Sequence, residues 1–385
     1  IRNRDNFSFR YAEAWLVSPL SQKINPALDL YSGEQHAQDT NNFRVFLDSC
    51  PDRWGRLLMK RREAILARRE ERRPRSLGEI DFLLGVHDFH RQGALRFKRE
   101  PDGAFLDDND KLSAPPMTSL RELAYASSQV ESDDERDDSE YLKWLYMLIS
   151  PGSSLGGARP KASVRDENDQ LWIAKFPSKY DDYDIAAWEY LTWKLAVDAG
   201  IEMAECRIER FDQEHHTFLT RRFDRTPQTR LHFTSAMTQL GYYDGDYEAS
   251  YLEIAQFLTA RGSRSREDLA QLWRRILFNI AVSNSDDHLR NHGFIYQNNG
   301  WVLSPAYDIN PVPDARGLHL NISDMDNSLD YGLAMTVIDF FQLNVAEAEK
   351  IKNEVLTSVR QWRTYAGSLG IARSEQERMA PAFNI

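Results

Sequence analysis

Cysteine is nearly absent from the chain, which holds only Cys50 and Cys206 among its 385 residues. They form no CxxC pair and no spacing typical of zinc sites, so we expect two buried, reduced thiols and exclude a disulfide-stabilised scaffold. Long hydrophobic runs are also missing, since no apolar stretch reaches the roughly 18 residues that cross a bilayer. The first residues lack the apolar core of a signal peptide, and we expect a cytoplasmic protein with no membrane partner.

The chain has no excess of positive charge. Its 48 Lys and Arg residues face 59 Asp and Glu residues, and the net charge is −11. Such a chain is not expected to bind nucleic acid by overall charge, although a local basic face can do so. Hydrophobic residues make up 42% and charged residues 28%, which excludes a disordered chain or a collagen-like fibre. At roughly 100–200 residues per domain, we expect two or three domains.

The densest positive charge lies between Arg53 and Arg75, where ten cations face three glutamates. Apolar residues such as Leu58 and Ile65 recur near helical spacing, which predicts a basic amphipathic helix. Two interpretations stay open for its cations, a solvated helix face or a surface for nucleic acid or an acidic partner. The acidic segment 131–140 is predicted to be a solvated loop or a hinge.

Beyond residue 150 the pattern becomes strand-rich and then helical. Strands are predicted over 161–164 and 171–176, joined by a polar turn, and a helix is predicted over 184–199. Beyond residue 230 the chain is mainly helical, with a start resembling a capping box at Ser265 and Asp268. The pattern therefore predicts an α+β fold with a strand-rich middle and a helical second half.

Three segments carry residues suited to chemistry, and the first runs from Ser153 to Lys161. Its small residues would let backbone N–H groups approach a phosphate, and Lys161 would add positive charge. The GxxxxGK[ST] pattern of a P-loop is absent, so a plain turn stays open as an alternative.

The second segment is the strand that contains Lys175, on a face shared with Leu171 and Ile173. A cation on an apolar strand face needs an anionic partner, either a phosphate or a carboxylate. Glu189 faces the packed side of the next helix, so a Lys175–Glu189 ion pair is predicted, as in a kinase N-lobe. The alternative is a strand-end lysine that reaches solvent beside Pro177.

The third segment has Asp286, then four residues, then Asn291, a predicted hairpin and finally Asp308. The Asn299-Gly300 dipeptide between apolar runs is a hairpin signal, and the hairpin would bring the two carboxylates together. One Asp that deprotonates a hydroxyl, with an Asn and a second Asp holding Mg²⁺, is the arrangement of a kinase catalytic centre.

Two alternatives to that centre stay open. Asp286, Asp287, His288 and His292 could ligate the metal of a hydrolase, since the histidines have i,i+4 spacing. That spacing binds zinc well only on a helix, and an HExxH motif is absent. The other alternative is a polar helix end followed by a buried hairpin, with no catalytic role.

Taken together, the chain resembles the HipA family of bacterial serine/threonine kinases, the toxin halves of type II toxin–antitoxin modules. The resemblance covers nearly the whole chain and implies a two-lobed, protein-kinase-like α+β fold. It implies an N-terminal subdomain over 1–112, a strand-rich kinase N-lobe over 113–225 and an all-helical C-terminal lobe over 226–385. The motifs that carry it are Phe9–Leu16, Phe46–Asp52, Gly156–Lys161, Arg222–Arg225, Ser285–Asn291 and Tyr307–Ile309.

The resemblance also implies roles for individual residues. Asp286 would be the catalytic base, Asn291 and Asp308 would bind Mg²⁺, and Lys175 would contact the ATP phosphates. Ser154, with Ser153 as its neighbour in doubt, would be autophosphorylated, which expels the loop and switches the kinase off. The other residues that would meet the nucleotide are Ser154, Leu155, Gly156, Gly157, Ala158, Lys161, Arg221, Phe223, Asp224 near the ribose, and His288.

Two departures from the family pattern concern nucleotide contacts. Arg159-Pro160 stands where some members have Gln-Glu, and Arg221 stands where an acidic residue can occur. Either could change nucleotide contacts or loop mobility without removing the chemistry.

The implied activity is transfer of the ATP γ-phosphoryl group to a serine or threonine of a protein, with aminoacyl-tRNA synthetases the leading substrate class. The implied partner is a helix-turn-helix antitoxin of the HipB type, which would bring the chain to operator DNA. A catalytically silent HipA-like protein that acts with the antitoxin on DNA is the alternative, and the complete set of metal and lysine residues argues against it.

Overall fold

The structure is a computed structural model. It describes residues 7–37, 42–106, 114–131, 139–148, 159–211, 214–226, 228–246 and 248–385. The predicted small-residue loop at 153–158 and most of the acidic segment lie outside the described residues. Within the described residues, no helix is both long enough and apolar enough to cross a membrane.

The N-terminal part combines an aromatic cluster with the predicted basic helix. Tyr11, Phe43 and Phe46 are buried in that cluster. The basic helix begins after Asp52, whose side chain accepts a bond from Gly55 N and so caps the helix. The elements are β1 (Ser8–Phe9), α1 (Glu13–Leu16), β2 (Gln35–His36), α2 (Arg44–Leu47), α3 (Arg53–Arg69), α4 (Glu79–Leu84) and a 3₁₀ turn at Asp88–His90.

The first lobe is built on a four-stranded antiparallel sheet in the order β3-β4-β6-β5. The first two strands form the predicted hairpin, which the structure confirms. Helices α3, α5 and α6 contribute to the core on this sheet. The elements are a 3₁₀ turn at Met117–Ser119, α5 (Leu120–Glu131), α6 (Ser139–Leu148), β3 (Lys161–Arg165), β4 (Leu171–Lys175), α7 (Ile185–Asp198), β5 (Cys206–Glu209) and β6 (Thr217–Arg221).

The second lobe is mainly helical, and the two-lobed α+β fold class is confirmed. The lobe expected to be all-helical also holds a three-stranded antiparallel sheet, because the predicted hairpin pairs with a further strand. The elements are β7 (Phe233–Ser235), α8 (Ala236–Leu240), α9 (Tyr251–Arg261), α10 (Ser265–Ala281), β8 (Gly293–Gln297), β9 (Gly300–Leu303), α11 (Tyr331–Met335), α12 (Val345–Val359), α13 (Trp362–Ser368), α14 (Arg373–Met379) and 3₁₀ turns at Leu289–Asn291, Ile338–Phe341 and Ala380–Ala382.

Helix α7 joins the two lobes. Asp184 caps its N-terminus by accepting from Ala187 N at 3.1 Å, and the chain leaves the helix through Gly200 at φ +78°. Its buried Trp188, Leu191 and Leu195 belong to the core of the second lobe. The helix therefore fixes Glu189 relative to the second lobe, while β4 carries Lys175 in the first.

Two local predictions are wrong in detail. Ser265 is not a helix cap: it is the first residue of α10, and its hydroxyl donates to Leu258 O at 2.7 Å. Asp268 accepts instead from Leu303 N at 3.0 Å, so its carboxylate ties α10 to β9. The hairpin turn lies one residue earlier than the Asn-Gly signal suggested, because Asn298 and Asn299 both adopt positive φ and Gly300 is already paired in the strand.

The cores do not follow the three predicted domains. Trp54, Leu58 and Ile65 of α3 pack in the same cluster as strands of the first lobe. Helix α7 of the first lobe packs with the second. The boundaries after residues 112 and 225 stay a prediction.

Candidate active site

Lys175, at the end of β4, contacts carboxylates from two different elements. Its Nζ lies 2.6 Å from Glu189 Oε1 and 2.7 Å from Asp308 Oδ1. Burial alone would lower the pKa of the amine, but Asp308 and Glu189 raise this pKa above its ordinary value. The side chain is therefore an ammonium that links the sheet of the first lobe, α7 and the second lobe.

Asp308 follows β9 and has a left-handed backbone, with φ +59°. This conformation is uncommon for a residue other than glycine and often marks a functional site. Although burial would raise the pKa of the Asp308 carboxyl, Lys175 holds it below its usual value. The segment just before it is tied to the first lobe, because Ala306 N donates to Glu202 O at 2.7 Å.

Asp286 and Asn291 lie in the segment that follows α10. The Asn291 side-chain amide donates to the backbone oxygen of Asp286 at 3.0 Å. The Asp286 carboxylate is accessible to solvent, yet partial desolvation raises its pKa. His288 opposes this rise in the pKa of Asp286, and the negative charge of Asp308 adds to it. The charge interaction between Asp308 and Asp286 places the Lys175–Asp308 pair near Asp286 and its partner Asn291.

These residues fit a magnesium ion that is completed by phosphate. Asn291 Oδ1 is buried and accepts no hydrogen bond from the described residues, while the amide nitrogen of the same side chain donates to Asp286 O. Asp308 adds a carboxylate, and Mg²⁺ is commonly held by one or two protein oxygens plus substrate phosphates. The described residues contain no cluster of three or more His, Cys, Asp or Glu side chains placed to hold a metal.

Asp287 is a buried organiser of this segment rather than a ligand facing the cleft. Its Oδ2 accepts from Tyr251 OH and Asn279 Nδ2, each at 2.6 Å, and is paired with His292 Nε2 at 2.9 Å. The i,i+4 spacing of His288 and His292 in the sequence did not indicate the bond between His292 and Asp287. Tyr251 was missed because it lies on a helix 36 residues away in sequence. Asn279 is only eight residues from Asp287, but it lies among the buried apolar residues of α10 and was read as part of that helix.

His288 does not share a helix face with His292, since a 3₁₀ turn lies between them. These two histidines therefore do not form the i,i+4 pair on a helix that would bind zinc well. The ring of His288 instead meets the ring of His319 edge-on, with 5.7 Å between centroids. His319 also lies near Asp286 and had no recognisable motif in the sequence.

The predicted hinge lies at the other end of the cleft. The ring of Phe223 stacks on that of Tyr307 at 5.6 Å between centroids. The Arg221 side chain is exposed and bonds Gln170 Oε1 at 2.8 Å. Asp224 is buried and accepts from Arg222, Arg225 and Gly93 N. Contacts of these residues with adenine or ribose stay a prediction.

Asp224→Asn is expected to destabilise the fold by about 3–5 kcal/mol, because it leaves two arginines at the hinge without their carboxylate. Burial opposes ionisation, but Arg222 and Arg225 hold the pKa of Asp224 at about 2, below the ordinary value. The stabilisation is therefore complete above about pH 4 and disappears as the pH falls toward 2. Urea unfolding of the unaltered protein and of Asp224→Asn across this pH range measures the free energy of unfolding. If acidification destabilised the variant as much as the unaltered protein, the assignment would be contradicted.

The loop residues predicted to meet phosphate are only partly described. Lys161 is buried, and its Nζ lies 2.5 Å from Asp52 Oδ2. It lines the same cavity as Lys175 and Asp308. The other members, Ser153, Ser154, Leu155, Gly156, Gly157 and Ala158, lie outside the described residues.

Two cavities of different size lie beside the residues of this cluster. The cavity beside Lys175, Asp308 and Tyr307 has a volume of about 30 Å³, enough for about two water molecules and not for a nucleotide. A groove of about 360 Å³ lies beside Asp286 and His288, between the start of α3 and the second lobe. A nucleotide would therefore have to part the lobes or open the Lys175–Asp308 pair, whereas a second substrate could reach Asp286 from the groove.

Comparison with known proteins identifies related sequences and a related fold. The family model of the HipA-like C-terminal domain matches residues 153–364. A Haemophilus influenzae protein named "Putative kinase" is 29% identical over 44% of this chain and 57% of its own length. "Putative kinase Y4dM" of Sinorhizobium fredii is 29% identical over 36% of each chain. The chain thus matches little more than half of the first relative's length.

A solved structure extends the similarity to nearly the whole fold. It is Shewanella oneidensis HipA, determined in complex with HipB and its operator DNA. The TM-score is 0.67 with 17% identity, and the match covers 98% of this chain and 90% of that one. At this identity the similarity establishes the fold alone.

Proposed function

This chain belongs to the family of the HipA-like C-terminal domain, and from that premise we propose that it is a serine/threonine protein kinase. It would use ATP and Mg²⁺ and transfer the γ-phosphoryl group to a hydroxyl of a protein. The observation that carries the proposal is the contact of Lys175 with both Glu189 and Asp308, beside Asp286 and Asn291. Phosphoryl transfer depends mainly on positioning and on charge, which is what this cluster supplies.

Each side chain then has one task. Lys175 binds phosphate oxygens, and Glu189 keeps its amine in the cleft. Asp286 faces the open groove, where it orients an incoming hydroxyl and accepts its proton. Asn291 and Asp308 would hold Mg²⁺, which neutralises phosphate charge when bound.

The proposal extends to a partner and a substrate class. The Shewanella protein was solved with HipB and operator DNA, and we propose a helix-turn-helix antitoxin of that type here, with DNA reached mainly through it. The net charge of −11 is consistent with indirect DNA contact. An aminoacyl-tRNA synthetase is the substrate class that the family resemblance implies.

Incubation with Mg-ATP followed by phosphopeptide mapping tests this function. A kinase should place phosphate on a serine or threonine of itself or of an added translation protein, and a Lys175→Met control should not. ATP binding without phosphate turnover in the unaltered chain would support the silent binding protein instead.

Ser154→Ala is expected to abolish phosphate on the loop while ATP still binds, because the side chain would be the acceptor and not a necessary ligand. Mass spectrometry of the loop peptide gives the readout, with Ser153→Ala as the neighbouring control. Loop phosphate that persisted in the Ser154 variant and vanished in the Ser153 variant would move the site by one residue. Phosphate elsewhere in the chain would defeat the assignment.

A further inference from the structure

The segment from Asp48 to Asp52 binds both lobes, although nothing in the proposed chemistry uses it. It belongs to the N-terminal part and connects α2 to α3. Both carboxylates are buried, with 6% and 9% of their residue surfaces exposed. Buried carboxylates require partners, and here the two partners come from opposite sides of the cleft.

Asp48 accepts hydrogen bonds from the second lobe. Its carboxylate accepts from Ser235 N at 2.8 Å, Ser235 Oγ at 2.7 Å and Thr234 Oγ1 at 3.2 Å. Ser235 is also the cap of α8, because its hydroxyl accepts from Thr238 N. The contact therefore fixes the segment to a helix end of that lobe.

Asp52 holds the first lobe through the amine of Lys161. One carboxylate oxygen caps α3 at Gly55 N at 2.8 Å, and the other lies 2.5 Å from Lys161 Nζ. The helix cap leaves the Asp52 side chain little freedom to move. The amine of Lys161 is therefore held by a carboxylate that is itself fixed in place.

Lys161 and Lys175 are direct cross-strand neighbours. They face each other in the register of β3 and β4, and both line the narrow cavity at Asp308. Like charges directly opposite each other on a sheet are destabilising. Each lysine has its own carboxylate here, since Lys175 is paired with Glu189 and Lys161 with Asp52.

We infer that Asp52 is a positioning residue that keeps the Lys161 amine in the cleft as a second phosphate-binding cation. Through Asp48, the same segment sets the place of that amine relative to the second lobe. The inference rests on the proposed function, because phosphate is the ligand for which two adjacent amines would be held.

The two adjacent lysines determine how loss of the Asp52 charge should change the affinity for ATP. Without the Asp52 charge, the Lys161 amine would lose this carboxylate and lie beside a second cation, and its flexible stem would let the amine move toward water. The phosphates would then lose one charge-assisted contact, which is worth about tenfold or more in affinity. The loss should appear in ATP binding more than in the transfer rate at saturating ATP.

A double-mutant cycle tests this with Asp52→Asn, Lys161→Met and the two combined, using calorimetric Kd values for Mg-ATP and transfer rates of the full chain. Each single variant should raise the Kd about tenfold, and the double variant should be no weaker than Lys161→Met alone. Asp52→Glu should recover part of the affinity. Glu63→Gln is the matched control: it removes a buried carboxylate of α3 that pairs with Arg72, and it should leave the Kd unchanged.

The outcomes separate this inference from the function on which it rests. If the unaltered chain binds no Mg-ATP, the proposed function fails. If it binds Mg-ATP but the two substitutions are additive, or Glu63→Gln weakens binding as much as Asp52→Asn, Asp52 has only a structural role and the inference fails. Tighter binding by Asp52→Asn would show that its carboxylate competes with phosphate, which also overturns it.

Discussion

Asp308→Ala should lower phosphoryl transfer by at least as much as removal of the catalytic base, which typically costs about 10²–10⁴-fold. That range corresponds to roughly 3–5 kcal/mol of transition-state stabilisation. The Asp308 carboxylate makes two contributions, because it contacts Lys175 at 2.7 Å and is one of the two proposed metal ligands. Its loss removes charge where the phosphates would bind and leaves the Lys175 amine to Glu189 alone.

Transfer from labelled ATP measures the effect, with thermal unfolding to verify that the variant is folded. Asp324→Asn is the control, since Asp324 is an exposed carboxylate of the same lobe outside the cavities at Lys175 and Asp286. The Asp308 variant should also lose most of the dependence of ATP affinity on Mg²⁺. Near-full transfer by a folded Asp308→Ala protein would show that the metal assignment is wrong.

Asp286→Asn is expected to reduce the transfer rate by about 10²–10⁴-fold while ATP binding is retained. The substitution keeps the size of the side chain and removes its capacity to accept a proton. Because Asp286 faces the groove and not the narrow cavity, its loss should change kcat more than the Kd for ATP. Single-turnover transfer and calorimetry on the same protein separate the two quantities.

The pH dependence of the unaltered chain should agree with this role. A base must be deprotonated, and desolvation together with Asp308 raises the pKa of Asp286 above that of an ordinary aspartate, against the effect of His288. Transfer should therefore decline on the acid side at a higher pH than an unperturbed carboxyl would give. An Asp286→Asn protein with nearly full activity, or with the same acid limb, would exclude the residue as the base.

Much of the local structure could be predicted from the sequence. The hairpin at 161–175 follows from two apolar runs joined by a polar turn, and helix α7 follows from helical spacing. Both signals act between near neighbours in the chain. The left-handed turn at Asn298 and Asn299 shows where such signals lose precision, because Asn tolerates positive φ better than most residues that carry a side chain.

The site itself was predictable only in part. The positions of Lys175 and Asp308 stood out as polar residues among apolar ones, but they are 133 residues apart and their contact depends on how the lobes meet. Asp52 and Lys161 are 109 residues apart. Each lies in a segment that resembles the HipA family, but nothing in the sequence indicated that the two side chains contact each other. His319 could not be found at all, since a lone histidine in a loop has no characteristic spacing.

The proposed chemistry requires above all that the phosphates of a nucleotide bind between Lys175 of the first lobe and Asp308 and Asn291 of the second. A crystal structure of the full chain with Mg²⁺ and a non-hydrolysable ATP analogue tests it directly. We expect phosphate oxygens within hydrogen-bond distance of the Lys175 amine and a metal on the Asp308 carboxylate and Asn291 Oδ1. A nucleotide bound elsewhere, with the Lys175–Asp308 pair closed and no metal beside it, would contradict the account.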